Sequence, residues 1–211
     1  MIPVPEYLRK NGKVLKTGKS WTQFRFVCDC GCESFLPYQN CYNAEEEKAM
    51  KPYYDALDYL FTGEGWSTCT IDEDGALHHW KFFSEDGLDE EKEEVILPEE
   101  PFFAGITVVK VQCTRCGAEH ILFDSRYHGY DGVTGSPAEE ALTYQPHFRP
   151  KCRSAVAVEV KVENDPTVEA FRENTGLELD AGQYADAFSW IAIYAVSTLG
   201  KRKKIFEAET A

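Results

Sequence analysis

Five of the eight cysteines lie in two short runs, Cys28-Asp29-Cys30-Gly31-Cys32 and Cys113-Thr114-Arg115-Cys116-Gly117, while Cys41, Cys69 and Cys152 are scattered. Thiols crowded at spacings of one and two residues suit a soft, tetrahedral metal such as zinc, whose structural sites take four thiolate or imidazole ligands. Two pairs complete such a site. A glycine after the second thiol lets the backbone bend back, so that N–H groups reach the sulfurs with no Cβ in the way. Disulfide frameworks belong to small secreted domains, and the start Met1-Ile2-Pro3-Val4-Pro5-Glu6 lacks the layout of a secretion signal. The expected setting is cytoplasmic, with reduced thiols. Cys113 and Cys116 form one pair. The other comes from Cys28, Cys30 and Cys32; Gly31 favours Cys28 and Cys30, and Cys32 is the alternative ligand.

The two runs resemble the knuckles of a zinc ribbon. The resemblance covers the runs and their flanks, not the whole chain. It implies one structural Zn2+ held by Cys28, Cys30, Cys113 and Cys116 between two β-hairpins. Ribbon pairs usually stand about 15–20 residues apart, whereas 82 residues separate Cys30 from Cys113. Residues of about 43–103 would then be an insertion. A hydrolytic zinc keeps a coordination position for water and usually has His or carboxylate ligands, so a four-cysteine site predicts no catalysis. His120 follows Cys116 by four residues and could replace a cysteine, but on a strand it is expected to pack or face solvent.

The elements that must position these runs read as α+β, dominated by antiparallel strands. Residues 1–20 read as a polar lead-in, and Trp21 to Leu36 as an extended segment carrying the first run. Asn43 caps a helix opening on Ala44-Glu45-Glu46-Glu47. Met50, Tyr54, Leu57 and Phe61 share one face of it, and Pro52 is expected to kink or divide it. Thr68–Ile71 and Leu77–Phe83 read as a hairpin turning at Asp74-Gly75. Ile106–Val111 leads into the second run and Ile121–Phe123 leads out of it. Ser136-Pro137-Ala138-Glu139 has capping-box spacing, and Tyr127 to Gly132 reads as a loop. Val156, Val158, Val160 and Val162 alternate with Ala157, Glu159 and Lys161 as a half-buried strand. A helix is expected from Asp165-Pro166 to Gly176, and strands at Trp190–Val196 and Ile205–Phe206. His78 and His79, adjacent on a strand, face opposite ways and cannot easily share a metal.

Residues 1–147 are thus expected to form a zinc-ribbon half with its insertion, and 148–211 a β-rich half, packed as one globular unit. The second half contains a candidate faded repeat. Val111 to Gly117 can be laid on Tyr194 to Gly200, with Val196 and Leu199 where sulfurs stood, buried in an apolar core. One zinc per chain is expected, not two.

The 211 residues carry 22 Lys+Arg against 36 Asp+Glu, a formal charge of −14. That excess opposes general binding to phosphate backbones, and no run approaches the roughly 20 apolar residues of a membrane span. Nine acids and one lysine lie between Glu85 and Glu100, a net −8 expected to be a solvated loop or mobile helix. These features point to a non-enzymatic zinc protein acting by protein–protein recognition, with a partner of basic surface and a regulatory or toxin-neutralising role. Two other readings are a nucleic-acid-associated zinc ribbon using Lys201-Arg202-Lys203-Lys204 and a zinc-dependent hydrolase.

Overall fold

In chain order the elements of the computed structural model are α1 (Glu6–Asn11), β1 (Gly12–Thr17), β2 (Trp21–Phe26), β3 (Phe35–Cys41), α2 (Ala44–Phe61), β4 (Trp66–Ile71), β5 (Leu77–Phe82), β6 (Lys92–Ile96), β7 (Val108–Cys113), β8 (Glu119–Asp124), α3 (Gly129–Thr134), α4 (Glu139–Thr143), β9 (His147–Pro150), β10 (Ala157–Glu163), β11 (Trp190–Val196) and β12 (Arg202–Glu209). The structure describes residues 5–61, 66–71, 77–82, 92–135, 137–163, 176 and 185–210. The expected Asp74-Gly75 turn, the helix after Asp165-Pro166 and the side chain of His79 lie outside them. The class is α+β. Contacts divide the chain into two compact units, residues 1–41 with 105–211, and residues 42–104.

The first unit has two antiparallel sheets, ordered β1-β2-β10-β11-β12 and β8-β7-β3-β9. Period-two alternation gives the larger sheet its inner face: Phe24 and Phe26, Val158, Val160 and Val162, and Ile191 and Ile193 are all buried. The register sets Val160 between Phe24 and Ile193. Phe35, Val109, Val111, Cys113 and Leu122 of the smaller sheet join the same apolar cluster. Phe35 and Val156 exchange backbone bonds of 2.8 and 2.9 Å, which tie the two sheets together.

Within the polar lead-in expected at residues 1–20, residues 6–17 instead form α1 and β1. Leu8 is fully buried, and the Tyr7 hydroxyl donates to the Leu122 carbonyl at 2.6 Å. β1 is an edge strand with an exposed surface, which explains its polar composition. The loop expected around Tyr127 to Gly132 contains α3. Its start is held from a distance, by Tyr130 N–H to Phe188 O and Asp131 N–H to Thr210 O.

In the second unit Asn43 Oδ1 accepts from the N–H groups of Glu45 and Glu46, and the Glu46 carboxylate accepts from Asn43 N–H, a complete capping box. α2 runs through Pro52 as one 18-residue element. Met50 is buried, but Tyr54 is half exposed and does not share its environment. β4, β5 and β6 form a separate antiparallel sheet. Part of the acidic stretch is therefore strand β6 rather than loop, and its Glu94 pairs with His78.

Between β8 and α3 the His128 ring is stacked on Tyr7 at 5.5 Å and lies against Phe123, and its Nδ1 accepts the Asp124 N–H at 3.0 Å. Burial holds the imidazole below its ordinary pKa, opposed by the Asp124 carboxylate. The unfolded chain therefore binds the proton more readily than the folded one. The stabilisation from this group is complete above the unfolded value of about 6.5 and is lost as pH falls below it. Between pH 7.5 and 5.5, chemical denaturation of His128→Asn should show a shallower loss of stability than wild type, because asparagine can accept the same N–H without titrating. Equal slopes would remove His128 as the cause.

Candidate metal centre

The first cysteine run leaves β2 and turns into β3. Cys28 N–H donates to Cys32 O at 2.9 Å and Gly31 N–H to Cys28 O at 2.7 Å. α1 clamps this turn from outside. Asn11 and Val27 exchange bonds, and the Asn11 amide donates to Asp29 Oδ1 at 2.8 Å. The second run caps the β7–β8 hairpin, with Cys113 N–H to Ala118 O at 2.8 Å and Gly117 N–H to Cys113 O at 2.9 Å. Gly31 and Gly117 have φ of 77° and 75°, the left-handed conformation that glycine adopts without steric cost.

β3 brings the two turns together. It pairs with β7 so that Phe35 stands opposite Cys113. The turns are then cross-linked by Thr114 N–H to Ser34 O at 3.1 Å and by the Arg115 guanidinium to Cys30 O at 3.0 Å. Only the second turn crowns a hairpin, because β2 and β3 belong to different sheets. The resemblance to a ribbon therefore stops at the knuckles.

This arrangement gathers Cys28, Cys30, Cys113 and Cys116, whose sulfurs all lie within 4.8 Å of one another. Cys28 Sγ is 3.5 Å from Cys116 Sγ, and Cys30 Sγ is 3.6 Å from Cys113 Sγ. Four sulfurs bound about 2.3 Å from one zinc would be about 3.8 Å apart at the corners of a tetrahedron. The group has the size and donor set to hold a metal ion.

Cys32 lies outside it. Its buried sulfur accepts from Ser34 N–H at 3.4 Å and lies 3.9 Å from Thr114 Oγ1. Cys41 and Cys152 are half-buried free thiols elsewhere. His120 packs as expected, with its ring against Phe26 and Phe35, but its Nε2 also reaches Cys28 Sγ at 3.2 Å. The sequence offered His120 as a stand-in for a cysteine, not as a partner of Cys28. The available signal was β-parity: His120 stands opposite Val111, two residues before Cys113, and on the same side as buried Leu122.

Without metal the thiols are unequal. Burial, then neighbouring sulfurs, pushes Cys28 up to about 12, and burial also raises Cys30. The backbone N–H of Ala118 brings Cys116 down to about 7, and that of Cys116 lowers Cys113. An arriving cation meets the more readily ionised thiols on the second turn and must displace protons held more tightly on the first.

The 82-residue separation is a small obstacle. By the logarithmic law of loop closure it costs about 1.3 kcal/mol more than a ribbon's shorter loop. The chain leaves the first unit at Cys41 and returns at Gly105, at the end of the β3–β7 pair away from the cysteines. There Asn40 fastens the neck, accepting from Val108 N–H at 2.9 Å and donating to Ile106 O at 2.7 Å.

At the β11–β12 tip, Ser197 N–H donates to Lys201 O and Gly200 N–H to Ser197 O, the same pair of bonds as in the first cysteine turn. Val196 is buried there, but Leu199 is 83% exposed, so this tip has no apolar core at the position expected for a lost sulfur. Among the described residues no other group of metal-ligating side chains was found, and no helix is long and apolar enough to cross a membrane. Comparison of the chain with protein-family models, curated proteins and solved structures finds no match.

Proposed function

We propose that one zinc ion, held by Cys28, Cys30, Cys113 and Cys116, fastens the β2–β3 turn to the β7–β8 hairpin, and that the protein acts in the cytoplasm without catalysis, by recognising a protein with a basic surface. The carrying observation is the set of four sulfurs within 4.8 Å. Four thiolates close the coordination shell and leave no position for a reactive water. Zinc here is a fastener. Recognition is supported by the charge of −14 and by its concentration in the acidic stretch, which would speed encounter with a cationic partner and serve a regulatory or toxin-neutralising role.

A second reading, binding of single-stranded nucleic acid, is favoured by aromatic and basic groups on the larger sheet. Lys161 Nζ lies 4.6 Å from the Trp21 ring and 4.9 Å from Trp190, Arg202 covers Tyr194 at 3.5 Å, and Lys203 and Lys204 are exposed. Aromatic stacking beside cations is the usual platform for such strands.

Elemental analysis should return one zinc per chain, and cobalt substitution should give the absorption of a tetrahedral four-sulfur site. Two zincs, or a spectrum of fewer than four sulfurs, would overturn the closed site and reopen hydrolysis. Salt-sensitive capture of a basic protein from the native cell supports the leading role; salt-dependent binding of short single strands replaces it with the second.

A further inference from the structure

Where the larger sheet approaches the two cysteine turns there is an open pocket of about 520 Å³. Arg25 of β2, Glu33 and Ser34 beyond the first turn, Arg115 of the second, and Ser197 and Thr198 of the β11–β12 tip line it. Two guanidinium groups and three hydroxyls thus face one carboxylate, in a protein that is otherwise strongly acidic.

The donors are incompletely used. Arg25 Nη2 bonds Glu159 at 2.6 Å, but its Nη1 is 3.7 Å from Glu33, beyond hydrogen-bond distance, and its Nε is buried with no partner among the described residues. Buried guanidinium N–H groups rarely stay orphaned, because nothing replaces the water they lose. Arg115 spends one N–H on Cys30 O and keeps the rest of its five-donor fork. Ser197 Oγ accepts from Lys201 N–H, which leaves its own hydrogen to donate.

We propose that this pocket binds a small molecule through a phosphoryl group, with Arg25 and Arg115 supplying charge and Ser34, Ser197 and Thr198 supplying neutral hydrogen bonds. A carboxylate has only two oxygens for these donors; a phosphoryl group has three, in the tetrahedral arrangement that guanidinium forks serve well. The volume falls within the range of small-molecule sites. Val156 and Val196 give the rest of the ligand an apolar wall. Three negatively charged groups oppose it, the first being Glu159, already paired with Arg25. A zinc tetrathiolate carries −2, for which Arg115 is the adjacent counter-charge, and Glu33 competes for Arg25. The site rests on the folded positions of the two turns, not on zinc itself, and it goes beyond the recognition role.

The test is isothermal titration of the metal-loaded protein with inorganic phosphate, a sugar phosphate, a nucleoside monophosphate and, as control, acetate, at constant ionic strength. Saturable phosphate binding is expected, with acetate weaker and the preferred organic phosphate tighter. Glu33→Gln removes the competing charge and should tighten phosphate by about tenfold, and Thr198→Val should weaken it by about threefold to tenfold. Thermal scans establish that both variants fold. In cobalt-loaded protein the absorption bands should stay unchanged on adding phosphate, since the anion sits beside the metal and not on it. No saturable binding to wild type or Glu33→Gln at millimolar phosphate, affinity indifferent to both substitutions, or altered cobalt bands would each overturn the proposal. Metal stoichiometry is measured beforehand, so failure of the cysteine site shows separately from failure of the pocket.

Discussion

Cys116→Ser is expected to lose its zinc under conditions in which Cys32→Ser keeps it. A serine hydroxyl does not ionise at neutral pH, so the first substitution leaves three thiolates where four are needed. Structural zinc sites bind with an apparent 10–16 kcal/mol near pH 7, nearly all of it from deprotonated ligands. Removing one of four should lower affinity by several orders of magnitude. Cys116 is the clean position because it is exposed, whereas Cys28 belongs to the core and serine there also disturbs packing. At position 32 a hydroxyl can still meet the Ser34 N–H that the sulfur now accepts. Elemental analysis of dialysed protein gives the answer. Full zinc in Cys116→Ser, or its loss from Cys32→Ser, would dismiss the proposed ligand set.

Acid should act in the same direction as Cys116→Ser. Burial raises Cys28 and Cys30, so protons compete with the metal there, and affinity should decline as pH falls. The apolar cluster is built mainly from Phe24, Val160, Ile193 and their neighbours. Metal loss should therefore loosen the two turns first, seen as faster amide exchange at residues 28–34 and 113–118, while β10 and β11 stay protected.

The second large effect lies away from the cysteines. Asp124→Asn should destabilise the fold by about 3–5 kcal/mol, the usual result of breaking a buried ion pair. Asp124 is 2% exposed, and both its oxygens receive Arg126, Nε at 2.8 Å and Nη2 at 2.6 Å. The same guanidinium donates to the carbonyls of Ala141 and Tyr144 at 3.0 and 3.1 Å, so the pair fixes the chain around α4 to the end of β8. Asparagine keeps the shape but strands a cation in a site that water hardly enters. Burial decides the magnitude, not distance. Lys51 and Asp55 also approach to 2.6 Å, but both are well exposed, and Asp55→Ala should cost only about 0.3–0.5 kcal/mol. Urea unfolding of the two variants measures the contrast. A loss below about 1 kcal/mol for Asp124→Asn would mean that water reaches Arg126 and that the pair is screened like a surface bridge.

Some of this molecule was legible because the signal was local. Alternating valines mark β10, Asn43 with Glu46 marks the start of α2, and the cysteine–glycine turns mark the two knuckles. What escaped depends on distant partners. α3 begins at Gly129 with no side-chain cap, and backbone bonds to Phe188 and Thr210 hold it. β1 reads as polar because it is an edge whose inner contacts are made through α1 and β2. Gly31 favoured Cys30 over Cys32 only weakly; the folded positions of the two turns, joined through the pairing of β3 with β7, place Cys30 in the cluster and Cys32 outside it. His120 was legible as a histidine near the second pair, but not as a partner of Cys28, because that contact spans 92 positions. Pro52 argued for a kink or a second helix; α2 continues through it as one element, so no second helix starts there.

The neck fastened by Asn40 has a genetic meaning. Residues 42–104 leave and rejoin the first unit through two neighbouring strands, at the end away from the cysteines. Such a junction behaves like a socket. Its load can lengthen, shorten or be exchanged over evolutionary time while the clasped core keeps its register. The same junction offers a graft site: another folded segment with closely spaced ends could be spliced there and carried on the two-sheet unit.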